Sequence, residues 1–475
     1  MSVMSDRGTT RAARQPFGAL GRRDFLSLVG AGAAGLLARR LFGAEGEAKG
    51  RKPNILVIIS DDQGYADVGF QGCKDIPTPS IDSLAANGVR FTSGYVSCPV
   101  CSPTRAGVNT GRYQQRFGHE LNPGPAPGAE VGLPLTEATL ADLMKKAGYA
   151  TGMVGKWHLG MEPKFHPLQR GFGEYYGFLG GAHPYLDLRP DGRNPILRAT
   201  TPVDEKEYLT DAFTREAVAF IERHKAEPFF LYLTFNAVHA PLQATPKYLD
   251  RFKDIRDEQR QTYAAMLSAM DDGIGAVLKK LREAGIEENT LVFFFSDNGG
   301  APGNASRNGP LRATKGTVYE GGIRVPSVIQ WKGSLPAGKA FDHPVISLDV
   351  LPTAVAAAGG ALPADRAIDG VNLLPYLKGE KEGPPHDALF WRFGQQSAIR
   401  KGNWKLAKIR DQAPELYDLA ADIGEKTDLS AQKPEVVKDL SDAWAKWNAE
   451  LKDPLWGGRQ RAARPLRRQG RGAQP

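Results

Sequence analysis

Three uninterrupted apolar runs constrain this chain more than any other feature, because each one stops at polar or charged residues. The first is Ile55-Leu56-Val57-Ile58-Ile59, the second lies within 228–235 and the third within 289–295. Apolar runs this short that do not alternate mark strands buried on both faces, as in a parallel sheet covered by helices. In open α/β sheets ligands gather beyond the carboxyl ends of the strands, so the residues just after each run matter most. Asp61-Asp62 come after the first, Asn236 to His239 after the second, and Asp297-Asn298 after the third. A fourth strand is expected at 149–154, after a helix at 135–147, and it releases Lys156 and His158. The two acidic pairs together offer hard oxygen donors of the kind calcium or magnesium prefers. Asp61 or Asp62 taken alone reads more often as a turn residue or helix cap.

A second feature is the stretch Pro99-Val100-Cys101-Ser102-Pro103-Thr104-Arg105. Proline favours the first turn of a helix, so Pro103 is expected to begin one and to leave free N–H groups facing Cys101. With Arg105 close by, an anion near Cys101 would be stabilised from two sides. By residue type alone Cys101 reads as a small buried hydrophobe, or as a disulfide partner of Cys73 or Cys98. A Cys73–Cys98 bridge also stays open.

Cys101-Ser102-Pro103-Thr104-Arg105 resembles the Cys-x-Pro-x-Arg core of the sulfatases, with Thr104 where the familiar form has serine and Asn109 where the longer signature has an apolar residue. The run from Gly148-Tyr149 to Lys156-Trp157-His158 is similar to the second signature of that family. The resemblance implies an alkaline-phosphatase-like α/β sandwich with a large mixed, mainly parallel sheet and a smaller C-terminal antiparallel subdomain. It implies that Cys101 is oxidised to formylglycine by a formylglycine-generating or sulfatase-maturating enzyme, and that the hydrated aldehyde attacks the sulfur of a sulfate monoester. One divalent cation, calcium first and magnesium second, would be held by Asp61, Asp62, Cys101, Asp297 and Asn298. Catalytic roles fall to Cys101, Arg105, His158 and His239; substrate contacts fall to Lys156, His239 and Lys315. The substrates implied are sulfated small molecules or sugars of the arylsulfatase and N-acetylgalactosamine sulfatase kind. A phosphomonoester or phosphonate hydrolase of the same superfamily is the alternative, as is a non-catalytic anion binder if Cys101 stays a thiol.

The net charge of +8 suggests nucleic acid until its distribution is read. The first 51 residues carry nine Arg or Lys against four acids, and residues 455–475 carry six Arg and no acid, which leaves the body at −3. The excess belongs to the ends, which argues against a nucleic-acid-binding face. Near the start, Arg22-Arg23 precede an Ala/Gly-rich apolar stretch at 28–38, too short to span a bilayer comfortably. This resembles a bacterial twin-arginine export signal, so a periplasmic or secreted protein without stable membrane insertion is expected.

The expected organisation is a leader over 1–49, a catalytic domain over 52–378, a C-terminal subdomain over 379–455 and a basic tail over 456–475. Helices are expected at 78–87, 208–225, 260–284, 345–359 and 434–452, and a strand at 90–96. The stretch 162–204 lacks periodicity and is rich in glycine, proline and aromatic residues, which marks it as a wall facing the substrate. His183 within it is a candidate substrate contact and equally a scaffold residue.

Overall fold

Strand β1 (Asn54–Ser60) is the middle of the molecule. A computed structural model of the chain describes residues 51–124, 131–188 and 192–457. The expected leader and all but the first two residues of the expected tail lie outside the described residues. β1 pairs in parallel with β8 (Phe229–Thr234) on one side and β9 (Thr290–Ser296) on the other, and every residue of the three strands is buried. The large sheet has ten strands in the order β11-β2-β10-β9-β1-β8-β4-β5-β6-β7. Here β2 is Val89–Phe91, β4 is Ala150–Lys156, β5 is Glu174–Phe178, β6 is Leu197–Arg198, β7 is Thr201–Pro202, β10 is Ser327–Gln330 and β11 is Lys339–Phe341. Strands β9, β1, β8, β4 and β5 run parallel, whereas β10 and β6 join antiparallel at either side. The sheet is therefore mixed and mainly parallel, as expected.

Successive residues of a strand point to opposite faces, so β1 serves two cores at once. Ile55, Val57 and Ile59 pack with Ala106 and Val108 of α2 (Cys101–Thr110), with Leu140 and Met144 of α3 (Leu140–Lys146), and with Leu351 of α6 (Val350–Ala357). Leu56 and Ile58 pack with Leu84 of α1 (Pro79–Ala86), with Phe213 and Phe220 of α4 (Leu209–His224), and with Leu267 and Ile274 of α5 (Glu258–Glu283). Two layers of helices thus cover the sheet and fix its strand ends. Helix α3 starts at a reciprocal cap between Thr139 and Asp142, and Asp257 caps α5 by accepting from the Arg260 N–H.

Four expectations need correction. Helix α2 begins at Cys101, not at Pro103. Proline lacks only an N–H that the first turn leaves unpaired anyway, so Pro103 fits the third position of that turn as well as the first. The strand expected at 90–96 is split into β2 and β3 (Gly94–Tyr95), and β3 pairs with β12 (Val345–Ile346) instead of the large sheet. That same β12 occupies the start of the helix expected at 345–359. The stretch 162–204 supplies β5, β6 and β7. β5 escapes a reading by periodicity because Gly177 lies against the Gly155 carbonyl, where a Cβ would come within 1.9 Å.

A second sheet of β13 (Leu389–Phe393), β14 (Gln396–Lys401), β15 (Trp404–Ile409) and β16 (Glu415–Asp418) is antiparallel throughout. Helix α7 (Pro434–Asn448) covers it through Leu440, which packs with Ile399, Leu406 and Leu416. Trp391 ties this sheet to the segment just after β3, donating from its indole to the Val96 carbonyl at 2.8 Å. Among the described residues no helix is long and apolar enough to cross a membrane.

Candidate active site

The end of β1 decides the geometry. Two successive strand residues would normally point to opposite faces, but Asp62 has φ +60, which turns the chain sharply and brings both carboxylates to one mouth. Aspartate is among the few side chains that tolerate this left-handed conformation. The turn is held by a hydrogen bond from the Asp61 N–H to Ala237 and one from the Val238 N–H to Asp61, at 2.9 and 2.8 Å. Asn304 adds a bond from Nδ2 to the Asp62 carbonyl at 3.2 Å.

Cys101, in the first turn of α2, points into the same mouth. Its Sγ lies 3.6 Å from Asp61 Oδ1 and 3.2 Å from Lys315 Nζ. Burial and then the negative charge of Asp297 push this thiol up to about 12, against the pull of Lys156 and Lys315. As cysteine the residue is therefore a poor nucleophile. All three cysteines are free, so the Cys73–Cys98 bridge does not form.

Around these groups three carboxylates meet three permanent cations. Lys156 Nζ sits 2.5 Å from Asp61 Oδ2, and Lys315 Nζ sits 2.5 Å from Asp62 Oδ1. Arg105 is fully buried and grips Asp297 Oδ2 from Nε and Nη2 at 3.0 and 2.7 Å, while its Nη1 donates to the Lys156 carbonyl. Burial pushes the Asp61 carboxyl up, but Lys156, His239 and Arg105 outweigh it and hold the group below its ordinary value. For Lys315, burial favours the neutral amine, yet Cys101, Asp62 and Asp61 together raise it above the usual lysine range.

The expected site residues fall into three groups. Asp61, Asp62, Cys101 and His239 present ligand atoms within 4.8 Å of one another, with His239 Nε2 lying 3.6 Å from Asp62 Oδ2. Asp297 and Asn298 sit beside them: Asp297 Oδ1 accepts from the Asp62 N–H at 3.4 Å, and Asn298 Nδ2 donates to Asp62 Oδ1 at 2.7 Å. His158 has φ +58, and its imidazole is driven well below the ordinary value by burial first and then by Lys156, Arg105 and Lys315. His183 stands apart, with its ring against Phe178 at 5.1 Å and Nδ1 at 2.8 Å from the Pro184 carbonyl.

The donor set suits a hard divalent cation. Asp61 and Asp62 supply carboxylate oxygens, and Asn298 Oδ1 is buried without a hydrogen-bond partner among the described residues. A buried amide oxygen left unpaired is costly unless something positive meets it.

Some contributors were not visible in the sequence. Ser102 Oγ lies 2.7 Å from His119 Nε2 and donates to the His158 carbonyl at 2.6 Å, which steadies the backbone of His158. Tyr185 donates to the His239 carbonyl at 2.9 Å, and Asn308 Oδ1 accepts from the Gly300 N–H at 2.9 Å. Ser102 stands only at an open position of the Cys-x-Pro-x-Arg pattern, and each of these residues acts through a partner that no local pattern links to it.

Comparison with known proteins agrees with this geometry. Residues 53–361 match the family model described as Sulfatase, and residues 313–450 match the one described as N-sulphoglucosamine sulphohydrolase, C-terminal. The N-acetylgalactosamine-6-sulfatase of Canis lupus familiaris is 37% identical over 378 residues, covering 74% of this chain and 71% of that protein. The crystal structure of Ps i-CgsB in complex with k-i-k-neocarrahexaose superposes with a TM-score of 0.83 at 38% identity, over 87% of this chain and 96% of that one. The phosphonate monoester hydrolase of Agrobacterium radiobacter shares the fold, with a TM-score of 0.62 at 21% identity over 84% of this chain and 95% of that one.

Proposed function

The chain belongs to the sulfatase family and is a sulfuric ester hydrolase, and from that premise we propose that it cleaves sulfate monoesters of carbohydrates through a formylglycine nucleophile made from Cys101. The observation that carries the reading is the convergence of Cys101, two strand-end carboxylates and Lys315 in one buried mouth. When present, formylglycine supplies an activated hydroxyl, and a divalent cation, calcium first, held by Asp61, Asp62, Asp297 and Asn298 supplies Lewis-acid polarisation.

The remaining chemistry belongs to side chains. A sulfate ester carries negative charge that must be screened before a nucleophile can approach sulfur, and Lys156, Lys315 and His239 supply that screening. Arg105 holds Asp297 in place and keeps the carboxylate side of the mouth compact. His239, with Lys315, is positioned to help the alcohol leave. His158, held neutral by its surroundings, is suited to accept a proton at Nε2 or Nδ1 when the nucleophile is regenerated. The sugar assignment draws on the k-i-k-neocarrahexaose named for Ps i-CgsB and on the N-acetylgalactosamine-6-sulfatase relatives.

The same reading includes maturation by a formylglycine-generating or sulfatase-maturating enzyme, and bacterial export by the twin-arginine route on the strength of Arg22-Arg23 and the apolar stretch after them. It places the boundary between catalytic and C-terminal regions near residue 378. Cys101→Ala is expected to lose hydrolysis of a chromogenic sulfate ester while retaining the fold and the bound cation. Near-normal turnover in that variant would remove Cys101 as nucleophile. Equal or faster hydrolysis of the matching phosphate ester would move the assignment to the phosphatase side of the superfamily.

A further inference from the structure

Lys315 lies on a loop, and the loop has little structure of its own. Ala313 and Gly316 on either side have φ +63 and +86, and no helix or strand spans 311–319. Yet Lys315 Nζ must be held to within a fraction of an ångström of Cys101 and Asp62 if it is to meet a sulfate oxygen. Backbone bonds to the main body fix two points: the Lys315 N–H donates to Gly300 at 3.0 Å and the Gly316 N–H to Pro99 at 2.9 Å. These leave the Gly316 carbonyl and the Val318 N–H to be held from the other side.

Both are met by one side chain of the second sheet. Gln396, the first residue of β14, donates from Nε2 to the Gly316 carbonyl at 2.8 Å and accepts at Oε1 from the Val318 N–H at 3.2 Å. A side-chain amide presents a donor and an acceptor side by side, which suits it to span such a gap. Cohesion between the sheets does not require it. Lys405 already bridges Glu320 and Glu425 at 2.8 Å each in a fully buried setting, and Trp391 reaches Val96.

We infer that Gln396 is a positioning residue for Lys315, so that the second sheet acts on the active site by clamping the loop that delivers this lysine. The inference rests on the proposed role of Lys315 in meeting the ester's sulfate group. It makes the C-terminal sheet part of the catalytic apparatus although Gln396 makes its bonds to the loop backbone and none of them to Cys101 or to the carboxylates.

The test is a double-mutant cycle on the full chain, matured to formylglycine, with a chromogenic sulfate ester. Gln396→Ala is expected to lower kcat/KM by about tenfold to a hundredfold, with little change in Tm. In a Lys315→Ala background the same change is expected to cost less than about twofold, because there is no ammonium left to misplace. Gln396→Glu keeps the acceptor but sets a carboxylate against the Gly316 carbonyl, so it should not rescue activity. Gln396→Asn withdraws the amide by one methylene and should give the same non-additive pattern, which covers the case in which the alanine variant fails to fold. Wild-type kinetics for Gln396→Ala or Gln396→Glu, or penalties that multiply fully with Lys315→Ala, would overturn the inference. A parallel arm measures inorganic sulfate binding by calorimetry in the Cys101→Ala chain. Weaker binding on changing Gln396 only while Lys315 is present supports the clamp even if the parent enzyme hydrolyses no sulfate ester, an outcome that would count against the proposed function alone.

Discussion

Of the buried charge clusters among the described residues, two invite comparison, and only one of them looks like a site. Between the sheets, Lys405 stands between Glu320 and Glu425, while Arg324 and Tyr95 both bond to Glu320 at 3.1 and 2.7 Å. Burial pushes Glu320 up, but Lys405, Arg324 and Arg400 outweigh it and hold the carboxyl at about 2. At the mouth, three carboxylates and three cations are equally buried or nearly so, but the set is not closed. Among the described residues Asn298 Oδ1 has no hydrogen-bond partner, a thiol sits among charges, and His158 is pushed towards its neutral form beside lysines, whereas Glu425 Oε1 of the other cluster, also without a hydrogen bond, lies 2.8 Å from Lys405 Nζ. Buried charge by itself is therefore a poor guide to function. Unspent donors and acceptors among the charges are the better one.

The largest effect should come from Arg105. Arg105→Met leaves Asp297 uncompensated in the interior, which typically costs about 3–5 kcal/mol, and it should also abolish turnover beyond about a hundredfold. Denaturant unfolding and steady-state kinetics on the same preparation would check both. Lys405→Met should cost stability on the same scale, about 3–5 kcal/mol, by stranding Glu320 and Glu425, yet kcat per folded molecule should stay within about twofold. If Lys405→Met lost activity as steeply as Arg105→Met, the two clusters would not be separable.

Asp271 on α5 sharpens the contrast, because it faces backbone N–H groups instead of a cation. It accepts from Ser80 and Ile81 at the start of α1 at 3.0 and 2.8 Å, and burial, opposed by those bonds, pushes its carboxyl up to about 6. The folded chain thus holds this proton over a range where the unfolded chain has released it. Its contribution to stability is present below pH 3.8 and is lost as pH rises to about 6. The loss is at most about 3 kcal/mol at 1.36 kcal/mol per pH unit. Measured as the difference from Asp271→Asn at each pH, the parent's unfolding free energy should fall across that window, because the variant carries every other titrating group unchanged. The smallest effect is at a cap remote from both clusters: Thr139→Ala removes the reciprocal bond with Asp142 and should cost about 1 kcal/mol, read as a shift in midpoint with kinetics unchanged.

The strand ends were legible because a strand buried on both faces writes itself as an unbroken apolar run, and the polar residues that close the run are then conspicuous. Asp61, Asp62, His239, Asp297 and Asn298 all stand out this way. Lys315 stood out only through the family pattern, since its loop obeys no periodicity. Gln396 and the Ser102–His119 pair did not stand out at all. Their roles depend on approaches between residues 17 and 80 positions apart, which no local pattern encodes. The break between β2 and β3 was hidden for the same reason: β3 pairs with β12, which lies at Val345–Ile346, far along the chain.

Intact mass of the peptide containing Cys101, taken from enzyme whose turnover has been measured in the same sample, tests the central claim most directly. The account predicts a peptide lighter than the thiol form, in a proportion that tracks activity across preparations. An active enzyme whose residue 101 is wholly unmodified cysteine would contradict it.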